Sequence, residues 1–461
     1  MKHNRGQWIS NLGFVLATAG SAIGLGNIWK FPGKVGLYGG GAFILTYILI
    51  VILIGLPIML AEFAIGRAAQ RNVVGAFHVL NRKWSFVGGI GILNLFVIMS
   101  YYCVVGGWVL KYVIAYLTDA DFYTGTVTYQ EYFSGFISKP VEPLVWGLVF
   151  LILCIVIIVK GVSDGIEKVS KKLMPLFFVL LIACVVRSFT LPGAKEGISF
   201  MFRVDWSSFN TDTLVGALGQ AFFSISVGMG ILVTYGSYAA KEGGMIKSAM
   251  WICGLDTLAA LLSASAIIPM VILTLGQDGL TMGGGFAFMA LPNVFDSLPG
   301  GRIFGLIFFI LLFLAALTSA LSVLETCVAF MIEEWNMSRR RATVIFSIPM
   351  AVLSIGYSLS QSAARNINLP WFDLSSGIQM LPMNAVMEKF TDNLMIPLGA
   401  LGFCLFVGWS WGTEKAWKEI CPDGNVPAFF RHAWSFIIRF LAPAVILMIL
   451  YFTLGKGQGL S

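Results

Sequence analysis

Long runs of apolar residues, separated by short polar or Gly- and Pro-containing stretches, fill this chain of 461 residues. Many of these runs reach the roughly 20 residues that a helix needs to cross the hydrocarbon core of a bilayer. The pattern predicts an all-α polytopic membrane protein, with one transmembrane domain over residues 1–461 and eleven transmembrane helices. The predicted helices, numbered 1 to 11, cover residues 8–35, 42–65, 86–117, 144–159, 166–191, 212–239, 246–275, 303–332, 342–359, 387–411 and 429–454.

Glycines interrupt two of these runs beside polar residues. The stretch AGSAIGLGNIWK (residues 19–30) lies in helix 1, and QAFFSISVGMG (residues 220–230) lies in helix 6. Each glycine destabilises a helix interior by roughly 1 kcal/mol, so closely spaced glycines favour an unwound turn. Lipid cannot satisfy the backbone groups that such a turn exposes. Two Gly-broken helices in matching positions predict a transporter binding site, although close helix packing is the alternative use of these glycines.

Composition supports a membrane protein and limits its chemistry. Hydrophobic residues make up 57% of the chain, charged residues 11%, and the mean hydropathy is +0.84. The net charge of +7 comes from Lys and Arg concentrated in alternate loops, which predicts a cytoplasmic N-terminus and no nucleic-acid partner. Eleven spans would then put the C-terminus outside. We expect location in the cell (inner) membrane without a cleaved signal peptide. The seven cysteines form no CxxC pair, so neither a disulfide framework nor a zinc site is indicated.

Four segments carry a resemblance to a known family. AGSAIGLGNIWKFP, GGGAF, GQAFFSISVGMG and LAALTSALSV resemble segments of the neurotransmitter:sodium symporter family, and the resemblance runs from Arg5 to about Tyr451. It implies the leucine-transporter fold of bacterial members, with broken helices 1 and 6. Two inverted five-helix repeats would cover about residues 8–191 and 212–411, with an extra helix at about 429–454. The implied function is sodium-coupled import of hydrophobic or aromatic L-amino acids by alternating access.

An amino acid is a zwitterion, so its site needs donors for the carboxylate and acceptors for the ammonium. A half-helix that begins after the break offers free N–H groups and a positive dipole to the carboxylate. By resemblance, Tyr102 binds that carboxylate, and an apolar pocket with a flexible methionine takes the side chain. The predicted substrate-binding residues are Ala22, Gly24, Leu25, Gly26, Ile98, Tyr102, Phe223, Ser224, Ser226, Met229, Ser319 and Val323.

Sodium takes hard oxygen ligands, and the resemblance implies two sodium sites. The first would use Ala22, Asn27, Ser224 and Asp256, together with the substrate carboxylate. Many animal relatives carry Asn in place of Asp256 and bind chloride in a niche that matches Tyr47, Gln220 and Ser224. Because Asp256 supplies a negative charge itself, we expect that chloride is not required. The second sodium site would use Gly20, Ile23, Ala315, Thr318 and Ser319.

Charged residues near the two ends of the bundle suggest gates. Lys30 would face Glu388 at the outer end, with Asp373 as the rival partner, and Arg5 would pair with Glu333 at the inner end. Glu62, an ionisable group at membrane depth, is expected to brace free amides of the helix 6 break. Gly165 and Pro175 in helix 5 predict either a tolerated kink or a segment that unwinds.

The sequence leaves other functions open as alternatives. A proton-coupled or small-amine carrier could use the same scaffold, and a gated channel or a membrane-embedded enzyme is a remote alternative. The sequence lacks the GxSxG, HExxH and Walker A motifs, which argues against an enzyme. It leaves the oligomeric state open.

Overall fold

The computed structural model describes residues 6–118, 122, 127–241, 244–276, 279–280, 286–374 and 376–455. Within these ranges the chain is built mainly from helices, which we number in chain order. They are α1 (Asn11–Ala22), α2 (Gly26–Leu37), α3 (Gly41–Ala69), α4 (Val73–Thr118), α5 (Tyr129–Ile137), α6 (Glu142–Ile158), α7 (Val162–Phe189), α8 (Ala194–Phe202), α9 (Thr211–Ser224), α10 (Ile231–Ser237), α11 (Met245–Leu275), α12 (Phe286–Asp296), α13 (Gly301–Glu334), α14 (Arg339–Leu359), α15 (Met383–Trp411), α16 (Thr413–Ile420) and α17 (Ala428–Leu454).

Both predicted breaks are present. Predicted helix 1 consists of α1 and α2, which meet at an angle of 55° across the residues after Ala22. Predicted helix 6 consists of α9 and α10, which are separated by Ile225–Gly230. In that turn Gly228 and Gly230 have φ values of +83° and +81°, where a side chain would be strained.

Among the described residues, eight helices are long and apolar enough to cross a membrane, or up to ten when each bent pair counts as one span. Helix α6 reaches that standard only together with α5, to which it is bent by 80°. The two halves of predicted helix 6 contain 14 and 7 residues, so neither half is long enough by itself.

Several short elements lie in segments that the apolar pattern left between spans. They include an antiparallel hairpin of β1 (Asn368–Asp373) and β2 (Gly377–Pro382), in which Phe372 pairs with Ile378. Helices α5, α8, α12 and α16 are also additions to the predicted set. These elements are short and amphipathic, so a search for runs of about 20 apolar residues does not find them.

Helix α13 lies at the centre of the packing. Its most extensive contact is with α4, and it also contacts α1, α6 and α7. Large apolar side chains stay exposed on outer helices, for example Ile348 and Val352 of α14 and Phe440 of α17. An exposed apolar belt around a buried core is expected where the surrounding solvent is lipid.

Candidate functional site

Asp256 lies in the middle of α11 and is fully buried. Its carboxylate accepts hydrogen bonds from Asn27 Nδ2 at 2.8 Å, from Ser224 Oγ at 2.8 Å and from Tyr47 OH at 3.2 Å. Asn27 is near the start of α2 and Ser224 is the last residue of α9, so the two breaks meet at this carboxylate. The structure therefore brings together Asn27, Ser224 and Asp256, three of the residues predicted for the first sodium site.

Polar groups of both breaks hold the unwound turn of helix 1. The backbone leaves the helical region at Ile23, with φ −73° and ψ 97°. The Gly24 N–H donates to Asn27 Oδ1 at 3.2 Å, and the Ser21 carbonyl accepts from Ser226 Oγ at 3.4 Å. Carbonyls in the last turn of a helix lack intrahelical partners. The end of α1 thus presents uncharged oxygens of the kind that sodium binds.

Gly24 and Gly26 of the first break lie close to three other predicted substrate-binding residues. A β-carbon added at Gly24 would be 3.2 Å from Ser319 Oγ and 3.4 Å from the Tyr102 hydroxyl oxygen. The same addition at Gly26 would be 2.7 Å from Cε1 of Phe223. The glycines therefore leave room for the side chains that surround the break.

The buried Tyr102 hydroxyl lies beside Leu25 and Ser319 but has no hydrogen-bond partner of acceptable geometry among the described residues. A buried hydroxyl without a partner is costly and is commonly explained by a ligand or water. Its position next to the amide groups that open α2 suits a substrate carboxylate. Ile98, Met229 and Val323 are buried, and their place in the pocket remains a prediction.

The predicted second sodium site lies where α1 crosses α13. A β-carbon on Gly20 would be 3.2 Å from Cβ of Thr318, so these residues are neighbours. Thr318 Oγ1 donates to the carbonyls of Leu314 and Ala315 at 3.0 and 3.2 Å. Ser21 Oγ also donates to Ser322 Oγ at 2.6 Å, which ties the end of α1 to the same helix.

Glu62 supports the break of helix 6, as the sequence predicts. It is fully buried in α3, and its Oε1 accepts from the Gly228 N–H at 2.7 Å. Ser226 in the same turn has a φ of +57°, which is uncommon for a residue other than glycine. The N–H groups of Ile225 and Ser226 bond back to carbonyls of α9, whereas the acceptor for the Gly228 N–H is a side chain of α3.

The ion pair of Lys30 differs from the prediction. Lys30 Nζ lies 3.3 Å from Asp392 Oδ2 and 4.7 Å from the ring centre of Phe223. Glu388 instead accepts from the Tyr357 hydroxyl at 2.7 Å. Asp392 lies one turn beyond Glu388 on α15 and reaches α2 more directly. This corrects both predicted partners, Glu388 and Asp373.

Aromatic side chains pack together next to Lys30 and cover the same end of the molecule. Trp29 packs edge-on against Phe288 of α12, with ring centres 5.6 Å apart. Phe288 also stacks on Phe133 of α5 at 5.0 Å and meets Trp108 of α4 at 5.9 Å. Helices from separate parts of the chain therefore cover the first turns of α2.

At the opposite end, the segment before α1 is fixed to α10. Trp8 Nε1 donates to the Tyr235 carbonyl at 3.0 Å, and the Trp8 N–H donates to the Tyr238 carbonyl at 3.2 Å. The predicted Arg5–Glu333 gate is untested because Arg5 lies outside the described residues. Glu333 accepts from the backbone and side chain of Asn72 at 2.7 and 3.0 Å.

A buried ion pair at this end was not predicted. Arg339 donates to both carboxylate oxygens of Glu325, at 2.6 and 2.9 Å, and the Tyr238 hydroxyl donates to Glu325 at 2.9 Å. Glu325 stands within the apolar sequence of α13, so its depth was a signal for a functional role.

This geometry agrees with the comparisons with known proteins. A family model described as the sodium:neurotransmitter symporter family matches residues 5–134 and 120–460. The chain belongs to that family, whose members are sodium-dependent transporters rather than enzymes.

Similar proteins cover nearly all of the chain. An uncharacterised sodium-dependent transporter of Bacillus subtilis is 34% identical over 451 residues, which is 96% of each chain. Another, from Haemophilus influenzae, is 33% identical over 466 residues, covering 96% of this chain and 97% of the relative. The crystal structure of MhsT in complex with L-phenylalanine is similar, with a TM-score of 0.87, 40% sequence identity, and coverage of 97% of this chain and 99% of MhsT. The leucine-transporter fold predicted from the sequence is thus confirmed.

Proposed function

We propose that this protein is a sodium-coupled symporter that imports hydrophobic or aromatic L-amino acids by alternating access. The observation that carries the proposal is the meeting of the two broken helices at Asp256, Asn27 and Ser224, with the Tyr102 hydroxyl next to Gly24 of the first break. Facing breaks offer helix ends to both charged groups of an amino acid. The similarity to MhsT, whose structure contains L-phenylalanine, supports this substrate class.

The substrate would lie between the two breaks. Its carboxylate would accept hydrogen bonds from Tyr102 and from the amides that open α2, since a helix N-terminus favours an anion. Its ammonium would bind carbonyls at the ends of α1 and α9. Phe223 and Ser319 border this space, and the remaining predicted members of the pocket are Ile98, Ser226, Met229 and Val323.

Two sodium ions would be carried with the substrate. The first would bind Asn27 Oδ1, oxygens of Ala22 and Ser224, Asp256 and the substrate carboxylate, so the shared carboxylate couples ion to solute. The second would bind between α1 and α13, at Gly20, Ile23, Ala315, Thr318 and Ser319. We propose that chloride is not required, because Asp256 already places a carboxylate beside Tyr47 and Ser224.

The proposed orientation puts the Trp8 end of the molecule in the cytoplasm and the Lys30 end outside the cell membrane. Basic residues at positions 67 and 71 lie at or just after the end of α3, those at 82 and 83 lie in the first part of α4, and those at 339–341 begin α14. We place all of them on the cytoplasmic side together with the Trp8 end, in agreement with the positive-inside rule. We further propose the predicted eleven-span arrangement with two inverted repeats, which would put the end of α17 outside.

Uptake into proteoliposomes tests the function. Radiolabelled phenylalanine, leucine and tryptophan should accumulate under an inward sodium gradient, and replacement of sodium by potassium or N-methylglucamine should abolish accumulation. Uptake driven by a proton gradient without sodium would favour the proton-coupled alternative, whereas accumulation of small amines only would contradict the amino-acid assignment. Flux that does not saturate with substrate would favour a channel.

A further inference from the structure

Asn94 is a buried amide in the apolar sequence of α4. Its side chain is fully buried, and among the described residues neither Oδ1 nor Nδ2 has a hydrogen-bond partner. A side-chain amide carries two N–H donors and an acceptor oxygen, and burial without partners costs free energy. Polar residues kept at membrane depth at such a cost commonly serve a function. The position of Asn94 indicates which function.

Asn94 shares one face of α4 with two residues of the predicted substrate pocket. The helix is α-helical from Ser85 to Thr118, so Ile98 follows Asn94 by about one turn and Tyr102 follows it by about two. A rise of 1.5 Å per residue separates Asn94 from Tyr102 by about 12 Å along the axis. The Tyr102 hydroxyl lies beside Gly24 of the first break. Asn94 therefore lies on the same face as that hydroxyl, beyond Ile98.

The turn of helix 6 packs against the same part of α4. A β-carbon on Gly91 would be 2.8 Å from the Met229 carbonyl oxygen and 3.9 Å from Cα of Gly230. Asn94 follows Gly91 by three residues, which puts both on one side of the helix. Met229 is itself buried and belongs to the predicted pocket. Asn94 thus lies next to both Ile98 and the turn of helix 6, at the end of the pocket away from the substrate carboxylate.

We propose that Asn94 determines specificity by binding a polar group at the far end of the substrate side chain, and that the preferred substrate is L-tyrosine. With the carboxylate at Tyr102, an aromatic side chain extends past Ile98 towards Asn94. A phenol hydroxyl both donates and accepts, so it suits an amide that offers both groups, whereas the phenylalanine ring offers neither. The inference rests on the proposed function, which supplies the position of the substrate carboxylate.

A matched pair of ligands separates hydrogen bonding from size. L-4-Methylphenylalanine has nearly the shape of L-tyrosine but carries a methyl group in place of the hydroxyl. A site with a buried polar group discriminates against a ligand that leaves this group unpaired. We therefore expect the unmutated protein to bind tyrosine about tenfold or more tightly than 4-methylphenylalanine. Phenylalanine remains a substrate of lower affinity than tyrosine.

Competition binding gives the dissociation constants. The full-length protein in nanodiscs would bind radiolabelled phenylalanine in sodium, and unlabelled tyrosine, phenylalanine or 4-methylphenylalanine would displace it. Asn94→Leu keeps a side chain of similar size but removes both polar atoms. We expect this variant to bind tyrosine about tenfold more weakly and 4-methylphenylalanine as tightly as before or more tightly, so that the preference disappears. A purely structural role of Asn94 would weaken the binding of both ligands equally.

The control is Ser100→Ala, on the same helix. Ser100 is buried too, but its hydroxyl donates to the Phe96 carbonyl at 2.7 Å within the helix, so this variant should keep the preference for tyrosine. Equal affinities of the unmutated protein for tyrosine and 4-methylphenylalanine would overturn the proposal even if Asn94→Leu does not fold. An unchanged preference in folded Asn94→Leu would overturn it too.

The same measurements distinguish this inference from the proposed function. Failure of the unmutated protein to bind any of the three ligands in a sodium-dependent manner would contradict both. Sodium-dependent binding of phenylalanine without a preference for tyrosine over 4-methylphenylalanine would contradict only the role of Asn94.

Discussion

At the scale of single residues, Asp256 is where ion, substrate and scaffold would meet. Three side-chain donors converge on its buried carboxylate, from Asn27, Tyr47 and Ser224. A charge at membrane depth is expensive unless it is paired or hydrogen-bonded. Cotransported sodium ions bring positive charge into the same low-dielectric region, and a fixed carboxylate offsets it.

We therefore expect sodium-driven uptake by the unmutated protein to be the same in chloride and in gluconate. Asp256→Asn removes the negative charge but leaves Tyr47 and Ser224 able to donate to an anion. Residual uptake of that variant should be about tenfold higher in chloride than in gluconate. Ser263→Ala lies on the same helix and removes a hydroxyl that donates to the Ala259 carbonyl within that helix, so it should show no chloride response. Loss of unmutated activity in gluconate would disprove the assignment.

The glycines of the first break lead to a second prediction about single residues. Gly26→Val would drive a side chain into the Phe223 ring, and Gly24→Val would fill the space beside Ser319 and Tyr102. We expect both variants to be expressed and to lose sodium-dependent uptake. Gly254→Val is the control, because a β-carbon there meets no heavy atom within 4 Å. Normal uptake by either break variant would remove the break from the proposed site.

At the scale of elements, the sequence predicted both helix breaks, but it predicted only some of the side-chain contacts that hold the helices in place. Glycine spacing located both unwound turns, and the depth of Glu62 in an apolar run indicated its contact with the second turn. The partner of Lys30 was assigned incorrectly, because Glu388 and Asp392 are one turn apart and helical spacing does not distinguish them. Glu325 was not identified, since its sequence position does not show which distant helix packs against it.

Removal of the Glu62 side chain should destabilise the second break. Glu62→Ala leaves the buried Gly228 N–H without its acceptor, at a cost of about 1–3 kcal/mol. We expect a lower thermal unfolding midpoint in detergent and a weaker stabilisation by sodium with substrate. Thr46→Ala on the same helix is the control, because its hydroxyl bonds a carbonyl within the helix. Equal midpoints for the two variants would show that this bond does not support the turn.

At the scale of the whole molecule, both ends are closed by contacts between separate helices. Trp8 and Glu167 fix the segment before α1, and Lys30 joins α2 to Asp392 of α15 at the other end. The apolar pattern predicted most spans, because long lipid-facing helices need long apolar runs. It could not predict the hairpin or α12, whose short segments are ordered by tertiary contacts such as that between Phe288 and Trp29.

The Lys30–Asp392 pair leads to a prediction about closure of the Lys30 end. Asp392→Lys places two positive charges together across α2 and α15, which disfavours the closed state and should raise the apparent Kd for phenylalanine in sodium about tenfold. The exchanged pair, Lys30→Asp with Asp392→Lys, restores opposite charges and should recover part of that loss. Lys30 is partly exposed, so screening by salt should reduce each effect. Equilibrium binding of radiolabelled phenylalanine gives the Kd of the unmutated protein, of Asp392→Lys and of the exchanged pair.

Two neutralising variants compare the two candidate partners of Lys30. Glu388→Gln should change the Kd for phenylalanine less than Asp392→Asn does. The reverse order would restore Glu388, the partner first expected from the sequence.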